Sequence, residues 1–155
     1  DPHQKGELCV TTLGVEGTPL LRFKTGDIVQ FFYDECKCGR KTKRIGPVLG
    51  RKNQMIKYKG TTLYPPAIFE VLNSFKEIEN YVVEVKNNDI QTDEVIIYIS
   101  SSTGNVNSLL DEVSNLLRAK IRVKPVVFAI SPKEINQMQL KSNTRKPLKF
   151  IDNRM

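Results

Sequence analysis

Between Met55 and Ile130 the hydrophobic period switches between two and about 3.6 residues in a fixed order, and few folds accommodate that order. Residues 55–58 and 61–64 are strand-like and close around Gly60. Pro65-Pro66 then opens a helix, because proline lacks the N–H that a first helical turn would leave unpaired. Ile68, Val71, Leu72 and Phe75 give this helix one apolar face. Residues 81–86 and 94–100 read as strands on either side of the polar turn Asn87-Asn88-Asp89. Asn105 or Asn107 caps a second helix, with Val106, Leu109, Leu110, Val113, Leu116 and Leu117 as its stripe. Residues 125–130 form a last strand.

The order strand, helix, strand, strand, helix, strand predicts an α+β chain with a ferredoxin-like α/β sandwich. Residues 131–155 are polar and rich in Lys and Arg, which predicts a loop with little regular structure. Upstream, residues 7–13, 20–23 and 27–33 read as strands, separated by turns at 14–19 and at Lys24-Thr25-Gly26. A sheet needs three or more strands with an apolar face, and these carry little core. They are therefore expected to finish a sheet whose other strands lie upstream. The opening Asp1-Pro2-His3-Gln4-Lys5-Gly6, without an initiator Met, reads as a cut. Composition changes near Gly50 to Asn53, dividing 1–52, a β-rich remnant of a larger domain, from 53–155.

At 155 residues, 39% hydrophobic and 26% charged, the chain can bury a core without disulfides. No apolar run approaches the roughly 18 to 20 residues that span a bilayer, and no signal-peptide pattern opens the sequence. Three cysteines at uneven spacing make no disulfide framework, so a reducing cytoplasm is the simpler setting. The net charge of +7 gathers at 37–59 and 141–154. It suits nucleic acid, or a polyanionic small ligand, or simply a solvated face. Gly39, Gly46 and Gly50 lie within the first cluster and Gly60 at its edge, and glycine lets backbone approach phosphates closely.

Three segments can carry chemistry. Cys36-Lys37-Cys38-Gly39 offers two thiolates one residue apart, enough for half of a tetrahedral zinc site, or two ordinary cysteines in a turn. Cys9 and His3 are conceivable further ligands, although Cys9 within a strand reads better as core. Thr25-Gly26-Asp27 is either a plain turn or a fixed carboxylate able to accept from two adjacent ribose hydroxyls. Residues 50–60 form a basic loop entering a strand where composition changes. That suits a hinge, or a static linker.

The order of these pieces resembles the adenylate-forming superfamily: Arg22-Phe23-Lys24-Thr25-Gly26-Asp27, then Gly50-Arg51 through Ile56-Lys57 to Gly60, then a lysine close to the C-terminus. Cys36-Lys37-Cys38-Gly39-Arg40, Gly60-Thr61-Thr62-Leu63-Tyr64-Pro65 and the closing Arg145-Lys146-Pro147-Leu148-Lys149-Phe150-Ile151-Asp152-Asn153-Arg154 are similar to its phenylacetate–CoA ligase branch. The resemblance implies a C-terminal mobile lid domain over 53–155 and a two-step reaction. A carboxylic acid attacks the ATP α-phosphate to give an acyl-adenylate and pyrophosphate; the coenzyme A thiol then displaces AMP.

By the same resemblance Asp27 holds the ribose hydroxyls, and Arg51 contacts the nucleotide near the ribose or phosphate. Asn53 stands at the hinge, where many relatives carry aspartate. Lys57 and Gly60 face the coenzyme A side, an exposed strand lysine being the plainer account of Lys57. Lys146 matches the adenylation lysine, with Lys141 and Lys149 as rivals and with Arg145 where the family usually has glycine. ATP or AMP with Mg2+, coenzyme A and a small carboxylic acid are the implied partners, and the resemblance sets structural Zn2+ at Cys36 and Cys38 level with two ordinary cysteines. No Gly-rich phosphate loop or acid pocket is assignable, so the chain alone is expected to be inactive. A nucleic-acid module is the alternative, but Tyr81 and Tyr98 look isolated on their strands. A ligand-binding regulatory module or a homodimer through the sheet is also compatible with the fold.

Overall fold

The computed structural model describes residues 4–88, 92–102, 105–140 and 146–154. The chain divides into two compact units, Asp1–Met55 and Ile56–Met155.

In the first unit β1 (Lys5–Val10) pairs antiparallel with the long β2 (Phe23–Phe32), which also pairs with β3 (Arg44–Ile45) and β4 (Gly50–Arg51). Two strands were expected where β2 is one. The register explains it: from Glu7↔Ile28 to Cys9↔Lys24, β1 advances two residues while β2 advances four. The extra residues form a bulge at Thr25-Gly26-Asp27, and Gly26 takes the left-handed backbone, φ 78°, that such a bulge requires. The turn signal was real, but the ladder absorbs it. Strand β1 stops at Val10, short of Leu13, because the next side chains leave the ladder. Thr11 Oγ1 accepts from Arg22 N–H at 3.0 Å and Thr12 Oγ1 from Leu20 N–H at 2.9 Å. Cys9, expected in the core, is exposed, lying beyond the bulge opposite Lys24.

The second unit carries the larger core. Hairpin β5 (Ile56–Tyr58) and β6 (Thr61–Leu63) turns on Lys59 and Gly60, both left-handed at φ 45° and 80°, as a tight two-residue hairpin prefers. Ile56 and Leu63 are buried, worth about 1.5–3 kcal/mol each. Helix α1 (Pro65–Leu72) follows, and Phe75 lies in the turn beyond it. Then come β7 (Ile78–Asn87), β8 (Asp93–Ser101), α2 (Val106–Ile121) capped by Asn105, and β9 (Val126–Ala129). The alternating set Tyr81, Val83, Val85, Val95, Ile97 and Ile99 packs in one core with the apolar faces of α1 and α2.

The α+β class holds, but the sheet is assembled differently from the expected sandwich. Its order is β10-β7-β8-β9, with β7 and β8 antiparallel and both outer pairs parallel. The β5–β6 hairpin stays outside it as a two-stranded sheet. The fourth strand comes instead from the tail that was expected to be irregular. That tail folds into α3 (Pro132–Gln139) and β10 (Phe150–Asp152). Ser131 and Glu134 form a capping box at its start, which fixes the helix despite its polar composition. Among the described residues, Val82, Ile135 and Ile151, with Ile130 and Met138, form a second small core beneath α3. Buried Gln139 locks the arrangement: its amide exchanges two hydrogen bonds with Asn80, at 2.9 and 3.1 Å, and donates to Tyr81 O at 3.1 Å.

Candidate functional site

In the first unit, the β2–β4 register sets Asp27 directly across from Arg51. The bulge holds Asp27 by its backbone, because its N–H donates to Thr25 Oγ1 at 3.1 Å while that hydroxyl donates to Leu8 O at 3.3 Å. Arg51 Nε lies 3.5 Å from Asp27 Oδ1, and Lys52 Nζ reaches Glu7 Oε2 at 3.0 Å. The single helical turn Lys52–Gln54 carries Asn53. Glu7, Thr25, Gly26, Arg51, Lys52 and Asn53 line one open depression of about 430 Å³. Asp27 is mostly shielded, at 26% side-chain exposure, whereas Arg51 is 66% exposed. A carboxylate that accepts, next to mobile cations, is chemistry suited to vicinal hydroxyls and phosphate oxygens together.

Cys36 and Cys38 share one turn, closed by Gly39 N–H to Cys36 O at 2.8 Å, with Gly39 at φ 79°. The Cys38 backbone N–H, followed by its thiol, holds the Cys36 thiol below the ordinary thiol range, and Arg44 adds to this. Among the described residues no third ligand joins the two cysteines, and His3 lies outside the described residues. The lowered Cys36 value has a measurable sign: thiolate forms at lower pH in the folded chain. The pH midpoint for alkylation of Cys36 by iodoacetamide, followed by peptide mass spectrometry, should lie below that of the urea-unfolded chain. An equal or higher midpoint would remove the Cys38 hydrogen bonds from the account.

In the second unit, Lys57 is exposed on β5 and Gly60 forms the hairpin tip. Lys146 is exposed just ahead of β10. The strand that follows is fixed in register, Phe150 beside Val83, and Leu148 N–H donates to Gln139 O at 3.2 Å. Of its rivals, Lys149 is committed elsewhere, with Nζ 4.3 Å from the centre of the Tyr81 ring; Lys141, like Arg145, lies outside the described residues. Tyr81 itself is buried and donates to Asn73 Oδ1 at 3.0 Å, and Tyr98 stacks on Phe128 with centroids 5.9 Å apart. Neither tyrosine is isolated as the sequence suggested, since Tyr81 also lies 5.6 Å from the Phe69 ring.

Residues 60–154 match the family model described as the AMP-binding enzyme C-terminal domain. The chain belongs to that family. A phenylacetate–coenzyme A ligase of Thermus thermophilus is 42% identical over 73 residues, 47% of this chain and 16% of that protein. One from Pseudomonas putida is 24% identical over 131 residues, 80% of this chain and 29% of the relative. Among solved structures, 2-hydroxyisobutyryl-CoA ligase in complex with 2-HIB-AMP aligns over 99% of this chain and 33% of its own, with a TM-score of 0.74 and 21% identity. A domain of phenylacetate–coenzyme A ligase from Bacteroides vulgatus aligns over 65% of this chain and 93% of its own, at a TM-score of 0.50 and 22% identity. At such identities the likeness is one of fold. The chain spans between 16% and 35% of the length of the curated relatives it matches.

Within this AMP-binding C-terminal fold, one cluster escaped the sequence reading. Asp93 Oδ2 accepts from Lys57 N–H at 2.6 Å and from Arg154 Nη1 at 3.1 Å. Arg154 also grips Asp152 through Nε at 2.8 Å and Nη2 at 2.6 Å. The Arg154 hydrogen bond pulls the Asp152 carboxyl below its ordinary value, against a smaller opposing effect of burial. Arg154 belonged to a quoted motif, but nothing local in the sequence pairs it with Asp93, 61 positions away.

Proposed function

We propose that this chain is the C-terminal part of an ATP-dependent, AMP-forming ligase that joins an aryl or acyl carboxylic acid to coenzyme A. What supports the reading most is that Asp27 faces Arg51 across the β2–β4 ladder and Arg51 lines one depression with Asn53, in a chain whose remainder matches the AMP-binding C-terminal family. In this reading 1–52 ends the large nucleotide-binding domain, and 53–155 is the mobile lid. Asp27 accepts from the ribose hydroxyls. Arg51 offers its guanidinium to the ribose or phosphates. Asn53 is the hinge, its role set by backbone position rather than charge; the boundary between the compact units falls close by, after Met55.

Lys146 acts in the first step. As the substrate carboxylate attacks the α-phosphorus and the bond to pyrophosphate breaks, charge grows on phosphate oxygens, and a positioned ammonium offsets it. Lys57 and Gly60 act in the second, when the coenzyme A sulfur attacks the acyl carbon and AMP leaves; a glycine tip admits a narrow thiol arm beside backbone. Mg2+ accompanies the ATP phosphates. Cys36 and Cys38 fit half of a tetrahedral zinc site, with the other ligands supplied by chain outside this sequence, and free thiols suit a reducing cytoplasm.

The acid pocket lies on the rest of the ligase, so the test uses the complete enzyme. Incubated with ATP, coenzyme A and a panel of aryl and short acyl acids, it should yield thioester with AMP and pyrophosphate in equal amounts. Thioester formation with release of ADP and phosphate would sink the adenylate route.

A further inference from the structure

Three segments far apart in sequence converge on the Asp93 carboxylate. The first is β5. In a hairpin with a two-residue loop, Tyr58 and Thr61 form the hydrogen-bonded pair next to the turn, so the following pair, Lys57 and Thr62, turns its backbone groups outward. The Lys57 N–H is thus an edge donor that the hairpin cannot satisfy itself. It finds Asp93 at 2.6 Å. The second is the start of β8, which Asp93 opens and where its side chain is only 11% exposed. The third is the segment just after β10, whose Arg154 is shared between Asp152 and Asp93.

The topology gives this convergence a direction. β10 runs parallel to β7, and Asn87 at the end of β7 pairs with Asp93. Arg154, after β10, therefore lies at the Asp93 end of the sheet, whereas Lys146 precedes β10 at its other end. The hairpin is also held where Tyr58 Oη donates to Lys124 O at 3.2 Å and where Ile56, Tyr58 and Leu63 enter the main core.

We propose that Asp93 is a positioning residue for the thioester-forming step: paired with Arg154 at 3.1 Å, it fixes the backbone of Lys57 and with it the hairpin tip at Gly60. This deepens the reading of Lys57 and Gly60 as the coenzyme A side and rests on it. In this role Asp93 acts through the backbone of Lys57. Its effect is to hold the tip in place, and a small displacement of a positioned group is enough to cost rate.

The test has two arms. In this chain, Asp93→Ala should speed hydrogen exchange of the Lys57 amide by about tenfold or more, while amides of the β7–β8 ladder keep their protection. In the complete ligase, Asp93→Ala should lower coenzyme A-dependent turnover of a supplied acyl-adenylate by about tenfold, with ATP–pyrophosphate exchange changed by less than about twofold. Asp93→Asn keeps an oxygen for the Lys57 N–H and should restore most of the loss. It also carries the comparison should the alanine variant fail to fold. Unchanged Lys57 exchange would overturn the proposal, as would an equal fall in both half-reactions or an asparagine variant no better than alanine. A parent enzyme with no thioester activity would overturn the functional reading and so the role assigned here, while the exchange arm still decides whether Asp93 holds the hairpin.

Discussion

Replacing Lys146 by alanine in the complete ligase is expected to slow adenylate formation by about 10²- to 10³-fold, the cost of losing one preorganised charge at developing phosphate anions. Transfer from a supplied acyl-adenylate to coenzyme A should change by no more than about threefold, because only groups used in one transition state separate the two steps in this way. The position of the lysine is what makes the effect large. It emerges just before a strand whose register on β7 is fixed, and the chain is tied once more where Leu148 meets Gln139. In the proposed role, an ammonium carried close to those anchors would need less reorganisation when pyrophosphate leaves. Lys149→Ala is the informative control. That cation sits over the Tyr81 ring, an interaction worth roughly 0.5–2 kcal/mol, so its loss should lower stability and spare adenylation. Pyrophosphate exchange and thioester formation, measured separately on both variants, decide the matter. Equal loss of both steps in Lys146→Ala would take the lysine out of this role.

What the sequence revealed and concealed follows from the range over which each interaction acts. Helices α1 and α2 and strands β7 and β8 were legible because each buries an unbroken apolar period, as Tyr81, Val83 and Val85 do in β7, whereas β9 was legible as a short apolar run in which Val127 alone turns partly inward. The tail was not. Helix α3 is held by Ile135 and Met138 and by a buried amide, Gln139, whose value depends wholly on Asn80 across the sheet. A polar side chain so used looks like surface until its partner is known. Strand β10 is three residues long, too short for any period to show, and its pairing with β7 is parallel and distant.

The site divides along the same line. Thr25-Gly26-Asp27 and Gly50-Arg51 could be singled out by resemblance, but their meeting is a matter of strand register, and the bulge that aims Asp27 read as an ordinary turn. Asp93 carried no local signal. Its role comes from an unsatisfied N–H on a hairpin edge and a guanidinium from the far end of the chain, neither of which composition encodes.

Asp27 gives the second large effect, and the register of β2 on β4 says how to isolate it. In the complete ligase, Asp27→Ala should raise the KM for ATP by about 10²-fold, since hydrogen bonds to a charged acceptor are worth roughly 1.5–3 kcal/mol each and the ribose offers two hydroxyls. The same change leaves Arg51 without its carboxylate neighbour at 3.5 Å, so a raised KM could come from a displaced arginine instead. Comparing ATP with 2′-deoxy-ATP separates the two, as in a double-mutant cycle. If the Asp27 carboxylate holds the 2′-hydroxyl, the unmodified enzyme should favour ATP by about tenfold and Asp27→Ala should favour neither. If its service is only to orient Arg51, the preference for ATP should survive the substitution, and Arg51→Ala should reproduce the whole loss. Asp27→Asn belongs between the extremes: its amide still accepts one hydroxyl hydrogen bond but lacks the charge that strengthens two.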